Sequence, residues 1–248
     1  MLVLASVQNV PDLPTSPPRL WHLPRTGRHA PSLTSRTLVG RQGIFTAARD
    51  LAGYELLFRA PGRLGLRVDL WNARQQDRAT EHVIAAAFHR GPHITEGLPA
   101  FVNFTRSYLV ERDHLHCDPN QVVIEVVESA YADDALRARL GELRAQGFRV
   151  AIDDFIGTRS QVALLDHADF VKIDYRDLTA RGPQLVDLAR QSRCTLIAER
   201  LETAAALAEC QQLSFDLFQG HCFEPAITVD RGLVGSRDDG IDAEFALA

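Results

Sequence analysis

What this 248-residue chain lacks narrows its chemistry early. Of its 27 basic residues 26 are arginine and one, Lys172, is lysine. A chain that uses arginine wherever a cation will do has kept a single compact ammonium, and the planar arginine fork cannot replace that group at a crowded polar site. Lys172 is either a chance survivor of drift in a GC-biased genome or a position where chemistry requires it. Blocks of basic residues are absent and the net charge is -5, so no DNA or RNA partner is expected, although local charge can still favour a small anion. The four cysteines, Cys117, Cys194, Cys210 and Cys222, show no CxxC pairing, which excludes a disulfide framework and a zinc site and predicts ordinary thiols in a reducing cytoplasm. No apolar run approaches the roughly 18 residues of a membrane span, and the first residues lack a signal-peptide pattern. A cytoplasmic protein with no membrane association is expected. With 46% apolar and 24% charged residues the chain can build one sizeable core, so collagen-like and fully disordered classes are excluded.

Proline is concentrated rather than scarce: six of the 12 fall between residues 11 and 31, among Ser, Thr and Arg. Residues 1–36 are therefore expected to be a flexible, disordered leader, or an over-extended gene start. Residues 228–248 are acidic and aperiodic and are expected to be a short tail, leaving 37–227 as the folded domain. Within it, short β-branched or aromatic runs read as buried strands: AFVNF (100–104), VVIEVVE (122–128), RVAIDDF (149–155), DFVKID (169–174), TLIAE (195–199) and FDLFQ (215–219). Helical stretches lie between several of them, such as 133–147 with Leu136, Leu140 and Leu143 on one face and Gly147 as a stop. This α/β alternation predicts a parallel sheet.

Each run is apolar until near its end and then offers a residue that a core rejects: Asn103, Glu125, Asp153 with Asp154, Lys172, Glu199 and Gln219. The intervals between them match one strand plus one crossover, so a parallel sheet or barrel brings them to one rim, where α/β folds bind ligands. Clustered carboxylates repel one another unless a cation intervenes, and an all-oxygen set selects a hard ion such as Mg²⁺ or Mn²⁺. Adjacent aspartates can serve two ions, and the reaction class this suggests is metal-assisted phosphoester hydrolysis. Taken singly, the same residues have plain structural roles: Asp154 as a helix cap, Asn103 as a turn residue, Gln219 with Gly220 as a loop start, Glu202 as the start of a helix. Taken together on one rim, those roles are the weaker account.

These residues resemble the EAL domain of bacterial cyclic-di-GMP signalling, a family of metal-dependent phosphodiesterases and binding-only relatives on a modified TIM-type (β/α) barrel. Glu55-Leu56-Leu57-Phe58-Arg59 stands where the family has Glu-Ala-Leu-x-Arg, preceded by Arg41-Gln42-Gly43-Ile44. The match continues through FVNF, IEVVES, AIDDF, VKID, AERLET and QG. The GYELLFR, DRAT (77–80) and AERLET forms are most similar to the branch usually fused to an HDOD module, which is not expected here because the chain ends soon after Pro225. The resemblance implies that Glu55, Asn103, Glu125 and Asp153 hold one ion, with Asp153 and Asp154 reaching a second. Lys172 would contact the attacking water or the phosphate, and Glu199 would act as general base or water ligand. Gln42 and Arg59 would contact the ligand, Gln219 would support the water, and Glu128 and Glu202 would hold the loop and rim. Cyclic-di-GMP is the implied partner and a homodimer the common family state.

Three features depart from the family. Its Asp-Phe-Gly-Thr-Gly-x-Ser-Ser loop is replaced by Asp154-Phe155-Ile156-Gly157-Thr158-Arg159-Ser160-Gln161, and Arg200 stands where most members have glycine. About 190 residues is also short for an eight-fold barrel of roughly 250, which predicts a trimmed helix or strand. The altered loop keeps a second expectation open beside the enzyme: a cyclic-di-GMP receptor or partner-binding scaffold without turnover. A weaker third is hydrolysis of a different phosphoester.

Overall fold

Seven consecutive strands run parallel, and an eighth, antiparallel to both its neighbours, closes them into a barrel. The computed structural model describes residues 38–59, 71–88 and 94–231. The parallel strands are β2 (Leu51–Arg59), β3 (Ala100–Phe104), β4 (Val122–Val126), β5 (Arg149–Ile152), β6 (Phe170–Asp174), β7 (Thr195–Glu199) and β8 (Leu217–Phe218). All six sequence-predicted strands are present. The closing strand, β1 (Leu38–Thr46), pairs with β2 on one side and β8 on the other. The parallel sheet expected from the βα alternation is thus corrected to a mixed one. Its cause is local: Ala47 to Asp50 turn too tightly for a crossover helix, with Arg49 left-handed at φ 69° and the Thr46 amide donating to the Asp50 carbonyl at 2.8 Å. That hairpin also explains the short domain, since a helix is missing and no barrel strand is.

The expected boundary at 227/228 is likewise corrected. Ile227–Asp230 forms β9, which pairs antiparallel with Leu38–Arg41 of β1 on the edge that β8 leaves free. Its alternation is weak because the strand is mostly exposed, so no apolar period marks it. The expected leader, 1–36, and the rest of the expected tail beyond residue 231 lie outside the described residues. Among the described residues no helix is long and apolar enough to cross a membrane. The four cysteines are unpaired.

Helices α1 (Ala73–Phe88), α2 (Arg106–Val110), α3 (Asp134–Ala145), α4 (Arg159–Leu164), α5 (Tyr175–Arg181), α6 (Gln184–Ala189) and α7 (Ala204–Gln212) fill the crossovers between the parallel strands, α5 and α6 sharing the one after β6. Helix α3 is the one read from the sequence. The Asp133 carboxylate accepts from the Leu136 amide at 2.9 Å to open it. Gly147, at φ 99°, closes it: the amides of Gly147 and Phe148 donate to the carbonyls of Arg144 and Leu143, while Phe148 and Leu143 are both buried.

Strand alternation makes two cores. Outward-facing Val102, Ile124, Val150, Val171, Leu196 and Phe218 join the layer under the helices, with Leu136, Leu140 and Leu143. Inward-facing Ile44, Phe101, Val123, Ala151 and Ile197, with Phe170 and Leu217, form a separate cluster inside the barrel. Because the side-chain period is two, the inward residues one step further along those parallel strands are Asn103, Glu125, Asp153, Lys172, Glu199 and Gln219. Register adds Gln42 opposite Glu55, one step above Ile44 opposite Gly53. The interior is thus an apolar floor with a polar layer stacked on it.

Candidate active site

The fully buried Lys172 is the centre of the polar layer. Its Nζ lies 2.8 Å from Glu199 Oε1, 3.0 Å from Asp153 Oδ1 and 3.3 Å from Glu55 Oε1, and it is paired with Glu125. Four strands therefore aim a carboxylate at one ammonium. Gln219 Nε2 donates to Glu55 Oε2 at 2.6 Å and to Gln42 Oε1 at 3.2 Å, which ties β8 to β1 and β2.

One positive charge cannot balance four negative ones in a buried volume. Burial alone would lower the Lys172 pKa, but the carboxylates of Asp153, Glu125, Glu199 and Glu55 raise it well above the ordinary value, so the ammonium stays charged. Burial pushes Glu125 well above the carboxylate range, and Asp153 and Glu55 add to this against the opposing pull of Lys172. Glu199 is raised to about 8, by burial first, with Asp153 and Glu55 outweighed only in part by Lys172. Burial would also raise Glu55, yet Lys172, the Gln219 amide and Arg59 hold it below its usual value. The protein alone leaves the layer short of cations.

Unpartnered atoms point the same way. Asn103 Oδ1, Glu125 Oε2 and Gln219 Oε1 are buried acceptors without a hydrogen-bond donor. Neutral amide oxygens and carboxylates left open beside one another form a hard-oxygen donor set, which fits Mg²⁺ or Mn²⁺. Nearer the opening, ligand oxygens of Glu128, Asp153 and Asp154 all lie within 4.8 Å of one another. The expected division into two neighbouring cation positions sharing Asp153 is thus compatible with where these groups stand. Asp154 does not cap α4, whose cap is Thr158; instead it sits left-handed at φ 40°, and burial and then Asp153 raise its carboxyl to about 6.

Above this layer opens a cavity of about 700 Å³. Gln42, Glu55, Arg59, Asn103, Glu128, Asp153, Asp154, Glu199, Glu202 and Gln219 line it, so ten of the twelve sequence-predicted site residues share one wall system. The other two, Lys172 and Glu125, are the most deeply buried of the set and lie in the layer below. Glu128 makes no hydrogen bond to the loop after Asp154; it stands with the paired aspartates. Glu202 is exposed at the rim and does not cap α7, whose cap is Thr203. Gly220 is required after Gln219, since a Cβ there would meet the Leu201 backbone at 2.3 Å.

Four supporting groups were given no role in the sequence reading, although Asp77 and Thr80 stand in its DRAT segment and Gln161 in its altered loop. Thr80 Oγ1 donates to the Asn103 carbonyl at 2.6 Å, and Asp77 accepts from Thr105 and Ser107, so α1 clamps the end of β3. Asp174, two residues beyond Lys172 and on its face, is buried and anchors two rim guanidiniums, Arg176 at 2.6 Å and Arg200 at 3.0 Å. Burial would raise its pKa, but the hydrogen bonds from Arg176 and the charge of Arg200 hold it below the ordinary value. Gln161 lies under the paired aspartates. Only the period of two from Lys172 could have flagged Asp174; the other three act through contacts that spacing does not encode.

The profile of the EAL domain matches residues 73–226, more than half of the chain. The chain belongs to the EAL domain family. That match begins after β2, so Glu55 and Arg59 join the site through the barrel's closure and not through the matched segment. Among curated relatives, this EAL chain is 32% identical over 201 residues to the uncharacterized protein YuxH of Bacillus subtilis, covering 77% of this chain and 48% of that protein. It is 31% identical over 218 residues to the cyclic di-GMP phosphodiesterase CdgJ of Vibrio cholerae, covering 85% and 49%. It thus spans about half the length of these relatives. Among solved structures, a manganese and cy-diGMP complex of Klebsiella pneumoniae BlrP1 is similar at TM-score 0.60 and 24% identity, covering 83% of this chain and 59% of that one. A standalone EAL protein from Vibrio cholerae O395 in c-di-GMP-bound form is similar at TM-score 0.59 and 20% identity, covering 79% and 94%. These likenesses establish the modified TIM-type barrel.

Proposed function

We propose that this EAL domain hydrolyses cyclic-di-GMP to linear pGpG with Mg²⁺ or Mn²⁺, two ions being held by Glu55, Asn103, Glu125, Asp153 and Asp154. The observation that carries this is the buried polar layer, with its excess carboxylates and unpartnered acceptors, directly beneath an open cavity. A relative at 31% identity is named a cyclic di-GMP phosphodiesterase, which supports the choice of dinucleotide. Bound divalent ions would supply charge neutralisation and activation of water. The chain's own groups then do the following. Arg59, whose guanidinium forks, and Gln42 hold the dinucleotide, and Gln219 orients what lies beside Glu55. Glu199, at the end of β7 and lining the cavity, accepts the proton of the attacking water. As the water oxygen bonds to phosphorus, the bond to the 3′ oxygen breaks; that oxygen takes a proton from solvent and leaves as a hydroxyl, while Glu199 returns its proton to solvent. Lys172 places its ammonium against the developing negative charge.

The same reading includes a cytosolic location, in keeping with four unpaired thiols, and a homodimer formed by the barrel domain. The rival is a receptor that binds the dinucleotide without turnover, which the altered loop after Asp154 favours. Purified protein incubated with cyclic-di-GMP and Mn²⁺, beside Glu55→Ala and Lys172→Ala, separates the two. Linear pGpG from the parent alone is expected. Binding without product under either ion would leave the receptor standing, and neither binding nor turnover would favour the scaffold.

A further inference from the structure

We propose that Gln161 is the positioning residue that sets Asp153 and Asp154 for cation binding, and that the altered loop 155–161 is a rebuilt support for that pair. This rests on the reading of the two aspartates as cation ligands.

Gln161 lies in the first turn of α4 and is buried at 4% exposure. Its side chain turns back under the loop. Nε2 donates to the Asp154 carbonyl at 2.8 Å and reaches the Asp153 carbonyl at 3.4 Å. Oε1 accepts from the amide of Ile156 at 3.0 Å, the amide of Thr158 at 3.2 Å and the Thr158 hydroxyl at 3.3 Å. The Thr158 hydroxyl accepts in return from the Gln161 amide at 3.2 Å, completing a capping box. One primary amide thus spans the whole turn, its donor end on the aspartates and its acceptor end on the far side. Glutamine and asparagine combine both ends in one planar amide that needs no change of protonation, and a serine hydroxyl at this position is shorter and has a single proton to donate.

The place it supports needs support. Asp154 holds φ 40°, a backbone conformation that residues with a Cβ rarely adopt and that persists only where surrounding contacts fix it. Glu128, the residue expected to hold this loop, makes no hydrogen bond to it and joins the ligand cluster instead. Ser160 is committed elsewhere, accepting from the Ala132 amide and donating to the Ala130 carbonyl. Gln161 is therefore the side chain that ties both aspartate carbonyls to the start of α4. Groups behind metal ligands that fix their orientation change cation affinity by about 10- to 100-fold when removed.

The test measures Mn²⁺ alone, without turnover. Mn²⁺ affinity is read from the loss of the free-ion paramagnetic resonance signal, and thermal unfolding is followed in EDTA and in saturating Mn²⁺, for the full chain and three variants. Gln161→Met fills the space without the hydrogen bonds. Gln161→Ser is a milder change should the methionine variant not fold. Leu140→Ala empties a buried position in the helical layer and serves as a control for general loss of stability. Expected is at least about tenfold weaker Mn²⁺ binding and a smaller Mn²⁺-induced rise in Tm for both Gln161 variants. Leu140→Ala should lower Tm in EDTA and keep the parent's affinity. Parental Mn²⁺ affinity in the Gln161 variants, whatever their Tm, overturns the positioning role. Absence of Mn²⁺ binding by the parent itself removes the cation reading, and this proposal with it.

Discussion

Lys172 Nζ and Glu199 Oε1 meet at 2.8 Å across two neighbouring parallel strands, inside a barrel where three further carboxylates face the same ammonium. Lys172→Met would leave those carboxylates buried with no cation. Breaking one partner of a buried ion pair costs about 3–5 kcal/mol, because the remaining charge is uncompensated. Glu125 and Glu199, already raised by burial, then lose the Lys172 charge that holds them down, so their protonated forms favour the fold at low pH and that contribution is lost as pH rises. Denaturant unfolding in EDTA should show the deficit of Lys172→Met growing from pH 6 to pH 8. A deficit independent of pH would argue against this balance. Lys172→Arg should keep most of the stability but lose turnover at least about tenfold, because charge survives and the compact donor does not.

Cation binding should itself depend on pH. In the metal-free protein Asp154 is raised to about 6, first by burial and then by Asp153, and Glu125 is raised well above the carboxylate range by its burial. Ligands must be deprotonated, so binding displaces protons and affinity strengthens as pH rises through these values. Titration calorimetry of the full chain with Mn²⁺ should give affinity increasing from pH 5.5 to 7.5, by up to about tenfold per unit for each proton released. Calorimetry in buffers of different ionisation heat should detect those protons. Flat affinity would mean that these carboxyls are already ionised.

The strand β9 supplies a third expectation. It covers the edge of β1 at Leu38–Arg41, where the short β8 does not reach. A chain ended after Pro225 should therefore melt several degrees below one ended after Arg231, and the amides of β1 should exchange faster with solvent. Equal Tm and equal protection would show β9 to be an ornament of the sheet.

How far the sequence carried the fold can be judged from these elements. The interior polar layer was legible because parallel strands repeat one pattern: Phe101 then Asn103, Val123 then Glu125, Ala151 then Asp153. Strands β1 and β9 were not, for different reasons. β9 is exposed and carries no apolar period. β1 holds two glycines and three polar residues, and its pairing is decided by the turn at Arg49. Glu55 and Arg59 were recognised by resemblance; Glu55 reaches Lys172 from β2, the strand that β1 pairs with antiparallel, and Arg59 lines the cavity above. Gln161 shows the limit most clearly. A substitution that reads in sequence as damage to a loop becomes, with distances in hand, the group bonded to the aspartate pair.

Arg200 presents two opposing effects that a pair of substitutions can separate. Its φ of 53° is left-handed, which costs a residue with a Cβ about 1–2 kcal/mol and costs glycine nothing comparable. Its guanidinium meanwhile pairs with the buried Asp174 at 3.0 Å, and Arg200 lines the same cavity as Arg59. Arg200→Gly relieves the backbone and removes the charge, whereas Arg200→Ala removes the charge and keeps the strain. Both should raise KM for an anionic dinucleotide with little change in kcat, since the group is at the rim and not at the reacting layer. Asp174 retains Arg176, so neither variant strips that carboxylate of partners. In denaturant unfolding Arg200→Gly should be more stable than Arg200→Ala by about 1 kcal/mol. Equal stabilities would mean that the left-handed backbone at this position is not strained, and an unchanged KM would place Arg200 outside the ligand's reach.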